Sequence, residues 1–244
     1  MVASLVLSFT DYDLLSSPEF AGLGNFRRLM DDPMVPKALF NTAFFTFLSV
    51  PAKLAVALAM ALVLNMKLKY ITFFRVAYYL PTVVPAVTSV ILWMWIFNPD
   101  FGPVNLTLDA FGIPGPGWFW DEHWSKPAII IMGLWSVGTQ MVVFLAGLQT
   151  VPEVLHEVAA IDGAGRLRRF WYVTLPMLTP VVFFNAVIGI IGSWQVFTPA
   201  YIATEGGPRN TTVFIVLHLY RHAFENFRMG YASTLAWMLF LIVL

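Results

Sequence analysis

The 244-residue chain contains no cysteine, and only 11% of it is charged, against about 25% in an ordinary soluble domain. The first absence excludes disulfides, thiolate nucleophiles and cysteine metal sites. The second excludes a soluble surface: at 59% hydrophobic there are too few charges to solvate the outside, so this is the composition of an integral membrane protein. Formal net charge is zero, which leaves no electrostatic footprint for nucleic acid. Nucleotide chemistry is missing as well. None of Lys37, Lys53, Lys67, Lys69 and Lys126, which are all the lysines, follows a glycine, so no G-x-x-x-x-G-K-[ST] loop exists. No serine sits in G-x-S-x-G. His218 and His222 stand four apart, a ligand spacing on a helix, but Leu219 occupies the place of the glutamate in H-E-x-x-H, and no metal is expected. Residues 127–148 and 176–201 contain no Asp or Glu, which deprives an ion-driven transporter of its usual proton carriers.

What is present is a series of long apolar runs. Residues 38–64, 71–97, 127–148 and 176–201 each reach the roughly 20 residues that a spanning helix needs. Residues 229–244 begin another, and 1–9 are too short to span. A signal peptide at 1–9 would require a basic n-region and a small-residue cleavage site, and has neither. The expected fold is all-α, a polytopic transmembrane helical bundle. Pro51 interrupts the first full run, which also carries Lys53, read as a snorkelling or partner-facing side chain. Pro81 and Pro85 are placed to kink the second. Residues 98–126 read as an irregular loop with Trp118, Phe119, Trp120 and Trp124 at the membrane interface, sugar stacking being the alternative. Ser136, Thr139 and Gln140 interrupt the third run. Asn185, Ser193, Trp194 and Gln195 do so in the fourth. Such groups need partners away from lipid, and spacing does not choose between solute and a neighbouring helix.

Residues 151–176 differ in character. Pro152 suits a first helical turn and Glu153 the positive helix end. Val154, Leu155, Val158 and Ile161 make one apolar stripe, with Glu153, His156, Glu157 and Ala160 elsewhere. Gly163 and Gly165 follow, and glycine ends a helix in the left-handed conformation without steric cost. A second short amphipathic helix carries Leu167, Phe170 and Trp171 opposite Arg166, Arg168 and Arg169, before Leu175-Pro176 opens the next apolar run. Two apolar stripes need something to pack against, either lipid headgroups or a docking protein. Residues 65–75 and 150–175 hold six Lys+Arg in 37 residues, whereas 10–37, 98–126 and 202–228 hold seven in 84. The positive-inside rule therefore puts 151–176 in the cytoplasm.

The string Glu157-Val-Ala159-Ala-Ile-Asp162-Gly163-Ala164, with Leu175-Pro176 twelve residues after Gly163, resembles the EAA signature of permease subunits in binding-protein-dependent ABC importers, with Val158 in place of the first alanine. The T-E-G-G-P phrase at 204–208 resembles the outer loop before the last span of sugar-importer permeases, and L-S-F-T-D-Y at 7–12 resembles the close of a first span. The resemblance, to the carbohydrate-uptake branch of maltose or glycerol-phosphate type, implies six spans in the intact protein, the first and last truncated here. It implies a single transmembrane permease domain over 1–244 with a cytoplasmic coupling loop at 152–176, multi-pass in the inner cell membrane. The implied partners are a second permease, two ATPase subunits docking at that loop and an extracytoplasmic solute-binding protein; ATP belongs to the partners, and this chain carries no cofactor. By the same resemblance Glu157 pairs with a basic residue of the ATPase, Ala159 allows close approach, Gly163 makes the elbow, and Asp162 belongs to the same ATPase-coupling set. Leu175 and Pro176 tie the loop to the next span. Ser193, Trp194 and Gln195 coincide with the solute-facing patch of related permeases, with Ser136 and Gln140 as neighbours across the pore. The rival readings are a membrane-embedded enzyme, an anchoring subunit without transport, or an importer of a non-sugar solute.

Overall fold

In hydrocarbon a backbone amide has no water to bond, so apolar runs must satisfy their hydrogen bonds internally, and the helix does this within one segment. A computed structural model describes residues 2–14, 16–66 and 69–244; Met1, Leu15, Lys67 and Leu68, and with them one lysine of the basic turn, lie outside the described residues. The helices are α1 (Val2–Ser8), α2 (Gly24–Asp31), α3 (Met34–Leu64), α4 (Ile71–Tyr79), α5 (Ala86–Ile96), α6 (Pro103–Ala110), α7 (Ser125–Leu134), α8 (Gly138–Gln149), α9 (Glu153–Ile161), α10 (Arg166–Arg169), α11 (Leu175–Trp194), α12 (Ile215–Tyr220) and α13 (Met229–Val243). Strand among the described residues is limited to the antiparallel pair Thr10–Asp11 and Glu19–Phe20.

Among the described residues two helices are long and apolar enough to cross a membrane, Met34–Leu64 and Arg166–Trp194, and two bent pairs raise the number to four if each is one span. The pair at 71–96 corrects the expected kinked span: α4 and α5 meet at a bend of 100°. Pro85 is the cause. The ring of a proline drives the preceding residue out of the helical region, and Val84 is extended at φ −68°, ψ 130°, which ends the helix instead of bending it. Pro51 lies within α3, by contrast, and the helix runs through it unbroken. α7 and α8 meet at 48° across residues 135–137.

The chain divides into two compact units. The one formed by Leu48–Pro85 and Ile131–Gly189 has a core of Ala57, Ala61 and Leu64 from α3, Val137, Met141, Phe144, Leu145 and Leu148 around α8, and Leu178 from α11. Small residues let these helices approach. A Cβ at Gly138 would come within 2.8–2.9 Å of Thr82 and of the Tyr78 and Tyr79 backbone, so the α7/α8 break packs onto the α4/α5 break. At Gly147 it would meet Val181 at 2.8 Å and Leu178 at 3.1 Å, which clamps α8 to α11. Close backbone approach of this kind is the main source of helix association where no hydrophobic effect operates between helices. Gly147→Leu is accordingly expected to destabilise the unit by about 1–3 kcal/mol, read as a lower melting temperature of the detergent-purified protein. Lys53 is half-buried with its Cε 2.9 Å from where a Gly133 Cβ would sit, so the glycine makes room for the lysine stem. Arg75 donates to the Leu64 carbonyl at 3.1 Å, placing positive charge on the negative end of α3.

The other unit joins Met1–Phe47, Ala86–Ile130 and Ile190–Leu244 around Val35, Ala38, Val213, Ile215, Tyr231 and Leu235. Asn25 is buried and donates to the Ser8 and Thr10 carbonyls, fixing α2 under the N-terminal turn. The T-E-G-G-P loop is fastened to the start of α3: Asn41 donates to the Asn210 and Val213 carbonyls, and Lys37 to that of Arg209. Residues 98–126 are less irregular than expected, since α6 lies within them. Of the four aromatics assigned to the membrane interface, Trp118 and Phe119 are buried instead. Trp118 stacks on Phe97 at 4.2 Å and donates to Asn105 at 2.7 Å, and Gly115 leaves the space that the Asn105 amide fills. Trp120 and Trp124 remain exposed.

Candidate functional site

The segment 151–176 hangs between the two helices that Gly147 clamps together. Pro152 is extended and precedes the helix by one residue, so α9 starts at Glu153, whose carboxylate lies at the positive helix end. Its end is a Schellman motif: the Gly163 N–H bonds the Ala160 carbonyl at 3.1 Å and the Ala164 N–H the Ala159 carbonyl at 2.8 Å. Gly163 has φ +79°, the left-handed value that a side chain resists, while Gly165 has φ −66° and could be any residue. The expected glycine elbow is therefore the work of Gly163 alone, with Asp162 as the residue that caps α9.

The second half departs from expectation. α10 does not end before the membrane segment. It continues through a wide turn at Phe170–Thr174, where Leu175 bonds back to Phe170, directly into α11, giving one rod from Arg166 to Trp194, 29 residues long. Pro176 explains the wide turn. It has no N–H to offer the preceding turn, and an extra residue in the helix absorbs that defect. Leu175 and Pro176 thus lie inside the rod, not at the boundary between loop and span. Arg169 Nη1 comes within 3.5 Å of the His156 carbonyl, a long contact between the rod and α9. Between α9 and the rod lies an open pocket of about 440 Å³, lined by Ala159, Asp162, Ala164, Arg168, Arg169, Tyr172 and Val173.

Among the described residues nothing covers the apolar stripe. Val154, Val158 and Ile161 are 62%, 50% and 85% exposed, and Leu167 and Trp171 are exposed as well. Glu157, Asp162 and Gly163 are also at the surface, with Ala159 and Leu175 half-buried and Pro176 exposed. Among the described residues no ion pair engages Glu153, Glu157 or Asp162. An apolar ridge flanked by unpaired carboxylates and guanidinium groups, on a helix joined by a short turn to a long apolar rod, has the chemistry of a protein-docking surface.

The intramembrane polar residues separate into two sets, one in each unit. Ser136 is exposed and caps its own turn at Gly133, while Gln140 is half-buried with its Oε1 enclosed and without a partner. Ser193 is spent internally: its hydroxyl lies 2.9 Å from Thr46 Oγ1 and 2.8 Å from the Ile190 carbonyl. Trp194 packs on the core around Val35 and Ile215, and Gln195 is exposed beside a cavity of about 370 Å³ against α13. Asn185, buried with an unpaired Nδ2, stands beside Gln140 in this respect. Sequence spacing alone ranks neither above Ser193; enclosure without a partner does.

Residues 36–244 match the profile of a family described as binding-protein-dependent transport system inner membrane component. The chain is 40% identical over 248 residues to the probable ABC transporter permease protein YesP of Bacillus subtilis, covering 100% of this chain and 80% of the relative. It is 39% identical to the lactose transport system permease protein LacF of Rhizobium radiobacter, covering 100% and 83%. Among solved structures, one chain of a bacterial alginate ABC transporter in complex with an alginate pentasaccharide-bound periplasmic protein superposes with a TM-score of 0.82 at 23% identity, covering 91% and 78%.

Proposed function

The chain belongs to the family of binding-protein-dependent transport system inner membrane components, and from this premise we propose that it forms one half of the pore of an ATP-driven importer for a sugar or polyol. It is a membrane transport protein and not an enzyme. Its partners are a second permease, ATPase subunits and a solute-binding protein, and we place it multi-pass in the inner membrane, folded around one permease domain. The observation that carries the mechanism is the uncovered helix α9, joined by the four-residue Schellman turn to the rod 166–194.

A chain without a phosphate-binding loop must receive its energy by contact. In this reading the ATPase takes the ridge Val154, Val158 and Ile161, with Glu157 and Asp162 meeting basic groups at its rim and Ala159 keeping the surface shallow. Closure of the ATPases on nucleotide then displaces α9. The Schellman elbow passes the displacement to the rod, and Leu175 and Pro176 within it transmit the movement to α11, a rigid-body route to alternating access. Gln140, whose Oε1 is enclosed without a partner, is the leading side chain for hydrogen-bonding a neutral polyol, and the exposed Gln195 is a separate candidate in the other unit.

The absence of cysteine makes the docking test direct. Ile161→Cys in the assembled importer, paired with single cysteines across the ATPase surface, is expected to form a crosslink whose yield changes between nucleotide-free and ATP-bound states. A crosslink only to lipid-reactive probes would place the stripe on headgroups and end the docking reading. Melting-temperature screening of the cognate binding protein against sugars and polyols tests the solute class; stabilisation by none of them would remove it.

A further inference from the structure

We propose that Asp32, His218 and His222 form a binding site for a divalent metal ion, with zinc the best match, at the junction of α2, α12 and α13. The proposal goes beyond transport and does not rest on it. The three residues each turn one ligand atom into the same space, all within 4.8 Å of one another. Asp32 Oδ2 lies 2.9 Å from His218 Nε2 and 3.9 Å from His222 Nε2. Tetrahedral zinc with ligands at about 2.0–2.1 Å requires ligand-to-ligand separations of roughly 3.3 Å, so the set, now spread over up to 4.8 Å, draws together on binding. Two imidazoles and a carboxylate are a donor set that zinc accepts, leaving a fourth position open.

A hydrogen-bonded latch accounts for part of this cluster only. Asp32 Oδ1 accepts the Met34 N–H at 2.8 Å, and Oδ2 accepts the Tyr231 hydroxyl at 2.8 Å and faces His218. Those contacts satisfy Asp32 and His218. His222 is left over. Its side chain is only 14% exposed, its Nε2 is too far from Asp32 for a hydrogen bond, and its Nδ1 is buried without a partner. Its ring stands edge-on to both His218 and Tyr231, with centroids 4.6 and 4.8 Å away, so it is held in place by packing and not by hydrogen bonds. A packed-in imidazole whose Nδ1 is unpaired and whose Nε2 stands 3.9 Å from a carboxylate is poor design for a latch and open to a ligating role. Tyr231 and the Met34 N–H supply the outer contacts that orient a ligating carboxylate. The histidine spacing was visible in the sequence. The third ligand was not, because Asp32 comes from 186 residues away.

The test uses the complete importer, purified without a polyhistidine tag, stripped with chelator and titrated with zinc chloride. One tightly bound zinc per chain is expected by elemental analysis, together with a rise in melting temperature. His222→Ala keeps the Asp32 contacts to His218 and Tyr231, and is expected to weaken zinc by more than the 10- to 100-fold typical of losing an outer contact, roughly. His222→Cys should restore it, and His123→Ala, at an exposed histidine, should change nothing. No zinc above the blank in the unmodified protein, or equal zinc in His222→Ala, overturns the proposal and leaves the cluster as a latch. Cobalt(II) loading of the unmodified protein needs no variant: intense visible bands of tetrahedral coordination are expected, and only the weak bands of the hydrated ion would count against the site.

Discussion

Gly163→Val is expected to cut solute uptake by about 5- to 150-fold while the importer still assembles and still hydrolyses ATP. The range is the conversion of about 1–3 kcal/mol, the strain of a side chain held in the left-handed region. The test is unusually clean. A Cβ at Gly163 would meet nothing within 4 Å, so the substitution disturbs no packing and changes only which backbone conformation is preferred. Valine is the severe case because it is β-branched. Asparagine, which tolerates positive φ, should leave uptake close to normal. Glu157→Lys is the charge counterpart. Glu157 is exposed and engages no ion pair among the described residues, so reversing it leaves the chain's own fold unaffected and disturbs only a partner's basic group. The double variant should therefore hydrolyse ATP without moving solute. Normal coupling of hydrolysis to uptake in that double variant would mean that force does not enter the membrane rods through this elbow.

Gln140→Leu is expected to do two opposite things. Removing an enclosed acceptor that has no donor should stabilise the chain by about 1–3 kcal/mol, and removing a hydrogen bond to a sugar hydroxyl should lower uptake at limiting solute by about 2- to 10-fold. A natural chain that keeps a costly amide in a membrane span keeps it for a reason, and a passing solute is one. Ser193→Ala should behave in the reverse manner. It strands Thr46, so stability falls, while uptake per folded importer stays near normal because the hydroxyl was never free. Stabilisation of Gln140→Leu without any loss of uptake would remove Gln140 from the solute path.

The helical bundle, the membrane composition and the amphipathic helix ended at Gly163 were legible in the sequence for a simple reason: each depends on neighbours close along the chain. Hydropathy over about 20 residues measures the bilayer, a stripe at helical spacing marks an amphipathic face, and Gly163 announces its positive φ because almost no other residue takes it. The same local logic misjudged the proline effects. Pro85 breaks a helix and Pro51 does not, since the outcome depends on what neighbouring elements do with the freed backbone groups, as the packing of Gly138 onto Thr82 shows. Leu175-Pro176 reads as a boundary, yet a wide turn carries the helix through it.

What tertiary structure alone decided are the contacts between residues remote in sequence. Ser193, Gln195 and Gln140 look alike as polar letters in apolar runs. Only the fold gives Ser193 to Thr46, sets Gln195 beside α13 and leaves the Gln140 carbonyl enclosed and unpaired. Trp118 looks like an interface residue until Phe97 and Asn105 close around it. Asp32 meets His218 and His222 across most of the chain, and no pattern of spacing carries that information. Backbone propensity and hydropathy act over one or two turns, whereas a hydrogen-bond partner or a third ligand is fixed by packing, which joins segments that the sequence keeps apart.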